Sequence, residues 1–228
     1  MRDKSRWSLL AGALVAGAAV GAAGTGCSAP TRTSAPPPGS PVDLTSILLS
    51  AGQVNAIMGA SAMAPGAVGG AMYNPTFTLS NPECGATLTV AEAPVYAGSG
   101  FTAVLEQRLQ EPGDARQHLV GQAAVAFPST DQAGAFVKSS AAKWKSCTGQ
   151  AVTQTNPGTT VRWSVGDLTG TATRIVQPHT RAQPADGWHC QHVLSAVTNV
   201  VLDVDACGYR VTDEGSQIAD KLAVNTKK

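Results

Sequence analysis

Five cysteines, a His-Cys-Gln-His run and two carboxylates spaced two apart hold the chemical possibilities of this chain. His189, Cys190 and His192 offer the nitrogen and sulfur donors that hold zinc. On a strand, however, His189 and His192 point to opposite faces, and a disulfide at Cys190 removes the thiolate, so no metal is expected. Gly98-Ser99-Gly100 is one residue short of the GxSxG nucleophile elbow and reads as a flexible turn. The glycine-rich stretches lack the lysine and hydroxyl pattern of a phosphate loop. No spacing brings Glu92, Asp114, Asp167 or Asp186 together as paired carboxylates. Neither a catalytic residue nor a cofactor is expected.

The placement of the cysteines says where this chemistry would sit. Arg2, Lys4 and Arg6 precede an uncharged run from Trp7 to Gly24 that is rich in Ala, Gly, Leu and Val. A basic start, an apolar middle and small residues make a secretory signal over residues 1–26. As an uncleaved span the run is weak, because a membrane helix needs about 20 strongly apolar residues. Gly24-Thr25-Gly26-Cys27 resembles a bacterial lipobox, with Gly24 where Leu is usual. Cys27 is then the lipid attachment site, and two acyl chains give stable anchoring where one does not. Residues 27–41 form the lipidated cysteine and a Pro/Ser/Thr-rich linker that cannot bury enough surface to fold. Residues 42–228 remain, enough for one domain with a sizeable core. The expected location is the extracytoplasmic face of the cell membrane. Net charge is +1 with 14% charged residues and no basic stripe, which argues against a nucleic-acid partner.

An exported chain keeps its disulfides, and four body cysteines allow three pairings. Val193–Val197 and Val200–Val204 are β-rich runs separated by Thr198-Asn199. If those two residues form the turn, Cys190 faces Cys207 at a non-hydrogen-bonded position, where Cα atoms lie about 4.5 Å apart. That is within disulfide range. Cys84 and Cys147 are left to pair, closing the longer loop.

These residues need elements to position them. Asp43–Met58 reads as a helix stopped by Gly59, Phe101–Gln110 as a second helix, and the run after Ser129 as the clearest one. In the last, Ala133, Phe136, Val137, Ala141 and Trp144 recur at three- and four-residue spacing, with Cys147 one turn on. Ser216–Val224 closes the chain as a helix. Strands are expected at Thr76–Leu79, Ala86–Ala91, His118–Phe127, Val152–Thr155, Thr160–Val165 and Thr169–Val176, followed by the hairpin. The fold class is α+β: a mainly antiparallel twisted sheet with helices packed on one side, two disulfides and a central cleft.

The hairpin register sets His192 opposite Asp205 and Leu194 opposite Asp203. One face therefore carries His192, Asp203 and Asp205 beside the disulfide, either as a solvated surface with a cross-strand ion pair or as the polar wall of a ligand cleft. Trp163 and Trp188 are core residues or cleft rims.

Several segments together carry a family resemblance: Leu48-Leu49-Ser50 with Val54–Gly59, Ala126-Phe127-Pro128 with Phe136-Val137, Trp144–Cys147, Gly187–Cys190, and Asn199–Cys207. Over roughly 42–224 the body resembles the extracellular sensor domain of mycobacterial PknH-type receptor kinases, a domain also found in mycobacterial lipoproteins. The resemblance implies an α/β domain with disulfides Cys84–Cys147 and Cys190–Cys207 and a deep cleft for an unidentified ligand. Expected partners are the membrane through its lipid anchor and a small molecule, glycan or lipid in a cleft involving Trp163, Trp188, His192, Asp203 and Asp205. The competing expectation is an accessory protein that docks an envelope protein.

Overall fold

In the computed structural model, residues 42–113, 116–184 and 186–227 are described. The signal segment, Cys27 and the linker lie outside them. In chain order the elements are α1 (Ala51–Met58), β1 (Ala64–Pro65), β2 (Thr78–Leu79), α2 (Ala93–Tyr96), β3 (Ala103–Gln110), β4 (His118–Ala126), α3 (Thr130–Cys147), β5 (Ala151–Asn156), β6 (Thr159–Val165), β7 (Thr169–Gly170), β8 (Arg174–Gln183), β9 (His189–Val197), β10 (Val200–Gly208) and α4 (Glu214–Thr226). Short 3-10 turns precede α1 at Leu44–Ser46 and follow β2 at Pro82–Thr87.

The strands form one antiparallel sheet in the order β1-β3-β4-β10-β9-β8-β6-β5-β2, with β7 on the margin of β8. At its centre β10 is buried at all nine positions. Alternation sends its side chains to opposite faces. Val200, Leu202, Val204 and Ala206 enter the core under α1 and α4 with Val54, Ile218 and Leu222. Val201 enters the other core with Ala123, Val125, Leu194, Val137 and Trp144 of α3.

The α+β class, the antiparallel sheet and the two disulfides hold. The layout is corrected in one respect: helices cover both faces of the sheet, not one. The physical reason lies in β10 itself. A strand apolar on both faces must be covered twice.

The hairpin turns at Thr198-Asn199, and Cys190 pairs with Cys207 in register, their Cα atoms 4.0 Å apart. Cys84, in the second 3-10 turn, is bonded to Cys147, the last residue of α3. Ser129 caps α3 by accepting from the Gln132 amide.

Four local expectations fail for identifiable reasons. The helix expected over Asp43–Met58 is broken, because Asp43 and Ser50 each cap a separate turn. Between them Leu49 is stretched out, its amide donating to Gln122 Oε1 and its carbonyl accepting from Gln122 Nε2, both at 2.9 Å. Phe101–Gln110 is not a helix but contains β3, paired with β4 along its whole length. Its alternation was masked by polar Glu106 and Arg108 on the face that lines the cleft described below. Ala86–Ala91 is not a strand, since Asn81 and Pro82 start a 3-10 turn there. The strand expected over Thr169–Val176 is in fact a tight pairing of β7 with the start of β8. Pro178 inside β8 hid the rest of that strand, because proline argues against a central strand.

Candidate functional site

On the α3 side of the sheet lies a cavity of about 240 Å³. Its floor is sheet: Arg108 of β3, Leu119 and Gly121 of β4, Asp205 and Cys207 of β10, Cys190 of β9 and His179 of β8. Its walls are aromatic: Tyr73 and Phe77 on one side, Trp163 and Trp188 on the other. Gln154, Asn156 and the Leu88–Val90 segment complete the lining. Gly121 lets that segment close on the sheet, since a Cβ there would stand 2.9 Å from Val90 Cγ2.

The aromatic groups are fixed. Trp163 donates its indole N–H to Gln154 Oε1 at 2.9 Å and stands edge-on to His179 with ring centres 5.1 Å apart. Arg181 lies 5.0 Å over the Trp188 ring, and Arg108 lies 4.7 Å over Tyr73. These contacts hold the rings in place along the cavity.

The floor is polar and incompletely satisfied. His179 Nε2 stands 3.8 Å from Asp205 Oδ2, beyond hydrogen-bond distance. Among the described residues, His179 Nδ1 and Asp205 Oδ1 find no hydrogen-bond partner. Burial holds the His179 imidazole down to about 3, helped by the charge of His192. Burial also pushes Asp205 up to about 6, with Asp203 adding to the rise and His192 opposing it. The contact between them is therefore between a neutral imidazole and a reluctant carboxylate, not a strong ion pair.

Of the expected site residues, Trp163, Trp188 and Asp205 line this cavity, whereas His192 and Asp203 do not. Those two are buried behind it, at 1% and 3% exposure, so the face is not a solvated surface. His192 stands opposite Asp205 in the hairpin register, as expected, while its Nε2 meets Asp203 Oδ1 at 2.7 Å, diagonally across the hairpin. Asp203 Oδ2 also accepts from the Ala91 amide at 3.0 Å and from the Tyr96 hydroxyl at 2.8 Å. Burial would lower His192, but the Asp203 hydrogen bond and the two nearby carboxylates outweigh it and raise it. Burial, then the Asp203 charge, push the Tyr96 phenol well above its ordinary value. This trio pins the segment over Ala91–Tyr96 to the sheet and so holds one lip of the cavity.

Several lining residues escaped the sequence reading, Arg108, Tyr73, His179 and Phe77 among them. Arg108 lay in a segment read as helix, Tyr73 in one read as loop, and His179 beyond a proline. Phe77 lay in a recognised strand region but carried no chemical signal.

An antiparallel sheet face with a clefted, disulfide-backed floor and aromatic walls is the geometry of the site. Comparison with known proteins gives the family. The model of the PknH-like extracellular domain matches residues 40–225, and the chain belongs to that family. It is 42% identical over 230 residues to the serine/threonine-protein kinase PknH of Mycobacterium tuberculosis, covering 100% of this chain and 37% of the relative. The PknH of Mycobacterium bovis is 41% identical, with 38% of it covered. The chain thus spans well under half the length of these relatives. The crystal structure of the extracellular domain of PknH from M. tuberculosis superposes with a TM-score of 0.79 at 43% identity, over 83% of this chain and 97% of that one. The likeness is to the extracellular part of a kinase, not to a catalytic domain. Among the described residues no helix is long and apolar enough to cross a membrane.

Proposed function

We propose that this chain is a surface lipoprotein, held by acylated Cys27 and the 28–41 spacer, whose sensor-type domain binds an envelope glycan in the cleft without turning it over. The observation that carries the reading is the cavity itself: two aromatic walls over a floor with unpartnered donors and acceptors. Flat aromatic faces suit the apolar faces of sugar rings, and buried groups such as those of His179 and Asp205 suit their hydroxyls. A cavity of about 240 Å³ is of the size of one ring with part of a neighbour. No nucleophile with an adjacent base is found among the described cleft residues, which supports binding over catalysis.

The test is a titration of the full chain with muropeptides and arabinogalactan oligosaccharides, read by tryptophan fluorescence and melting temperature. A saturable change for one glycan class, lost in Trp163→Ala, is expected. No response to any of them sinks the glycan assignment. The anchor is tested separately: Cys27→Ala should shift the protein from the membrane fraction to the medium or leave it as precursor, and unchanged fractionation and mass refute the lipid link.

A further inference from the structure

Three adjacent strands bring four metal-type side chains to one point of the cleft floor. His179 of β8 opposes Cys190 of β9, and Cys190 opposes Cys207 of β10. Asp205 lies two residues before Cys207 and so shares its face. One donor atom from each of the four lies within 4.8 Å of the others, and all four residues are buried. Cys207 Sγ stands 3.3 Å from Asp205 Oδ2. Strand pairing on either side of Cys190 and Cys207 sets these positions, so they do not depend on the sulfur–sulfur bond.

A second observation shows that the His and the Asp of this cluster have ligating atoms to spare. His179 is 2% exposed, yet its Nδ1 has no partner among the described residues and its Nε2 has only the distant Asp205 oxygen. Asp205 Oδ1 is likewise buried and unpartnered. Buried polar groups are normally satisfied, and exceptions call for an explanation.

We propose that reduction of Cys190–Cys207 converts this floor into a closed tetrahedral site for a zinc-type divalent cation, held by Cys190 and Cys207 thiolates, His179 and Asp205. The disulfide takes two electrons and two protons from two low-molecular-weight thiols, which leave joined as their own disulfide. The cation then displaces the two thiol protons to solvent. Two thiolates, an imidazole and a carboxylate favour zinc over the oxygen-loving magnesium and calcium. With the disulfide closed there is no thiolate and no site. The cavity beside the cluster is the path of entry. This inference does not depend on which ligand, if any, the oxidised cleft takes.

The test uses the full chain carrying Cys27→Ser, oxidised or reduced with a phosphine, and titrated with cobalt(II) and then zinc(II). The phosphine leaves as its oxide, taking its oxygen from water. The reduced chain should take one cobalt with the absorption of a tetrahedral thiolate site, displaced by zinc, while the oxidised chain takes none. Cys84→Ser with Cys147→Ser should keep the signal and Cys190→Ser with Cys207→Ser should lose it. His179→Gln should weaken binding by more than the about 10–100-fold that loss of an outer-shell partner costs. A reduced chain that unfolds alone and refolds with zinc also supports the site. No uptake by a folded reduced chain, a chain that stays unfolded with zinc, or uptake unchanged by the Cys190/Cys207 or His179 substitutions overturns it.

Discussion

Removing the Asp203 carboxylate should destabilise the domain far more than removing its charge. Three buried groups converge on it: His192 Nε2 at 2.7 Å, the Tyr96 hydroxyl at 2.8 Å and the Ala91 amide at 3.0 Å. Asp203→Ala orphans all three, and a buried unsatisfied group costs about 1–3 kcal/mol. A loss of about 3–9 kcal/mol follows, a large part of the about 5–15 kcal/mol that a domain possesses. Asp203→Asn keeps the shape. Its carbonyl can accept from Ala91 and Tyr96 while its amide donates to His192, so the loss should be no more than about 2 kcal/mol. Tyr96→Phe, which deletes one donor, should fall between wild type and Asp203→Ala. Urea denaturation with both disulfides closed, followed by near-ultraviolet dichroism, gives the three values. If Asp203→Ala lies within about 1 kcal/mol of wild type, or Asp203→Asn is equally damaging, the account of this trio as the clamp on the Ala91–Tyr96 segment is wrong.

Other perturbations test other parts of the structure. Gly215→Ala adds a Cβ that would meet the Gln191 carbonyl oxygen at 2.5 Å; overpacking of about 1–3 kcal/mol should exceed the about 1 kcal/mol gained in helix propensity, so the melting temperature falls. Opening Cys84–Cys147 by double alanine substitution should cost about 4 kcal/mol and opening Cys190–Cys207 about 3, from the loop lengths alone; urea midpoints that reverse this order refute the entropic account. Burial raises the Glu92 carboxyl above its ordinary value, so the folded state keeps a proton that the unfolded chain has released. Stability should therefore fall as pH rises through the window between the ordinary and the raised value. Glu92→Gln should remove that fall, and parallel pH profiles for the two proteins would count against it.

What the sequence discloses here depends on whether a feature is local. The β9–β10 register was readable because the turn lies between two β-rich runs and the cysteines flank it symmetrically. Helix α3 was readable because Ser129 caps it and its apolar face repeats. By contrast, β3 places polar Glu106 and Arg108 on one face, of which Arg108 lines the cleft, and that interruption mimicked helical spacing. The trio around Asp203 joins residues 107 and 112 apart in sequence, and no local pattern announces such a contact. Trp163, Trp188 and Asp205 were recognisable by type as cleft candidates. His179 was not, since only the neighbouring strands give it a purpose.

Because successive residues of β10 belong to opposite layers, this strand is a shared wall that neither layer can remodel alone. A bulkier group at Asp205 presses through its neighbours Val204 and Ala206 on the helices behind. If the cleft binds a glycan as proposed, freedom to acquire a different specificity sits in Tyr73, Gln154, Asn156 and Trp188, where a change alters the lining and leaves the spine of the fold alone.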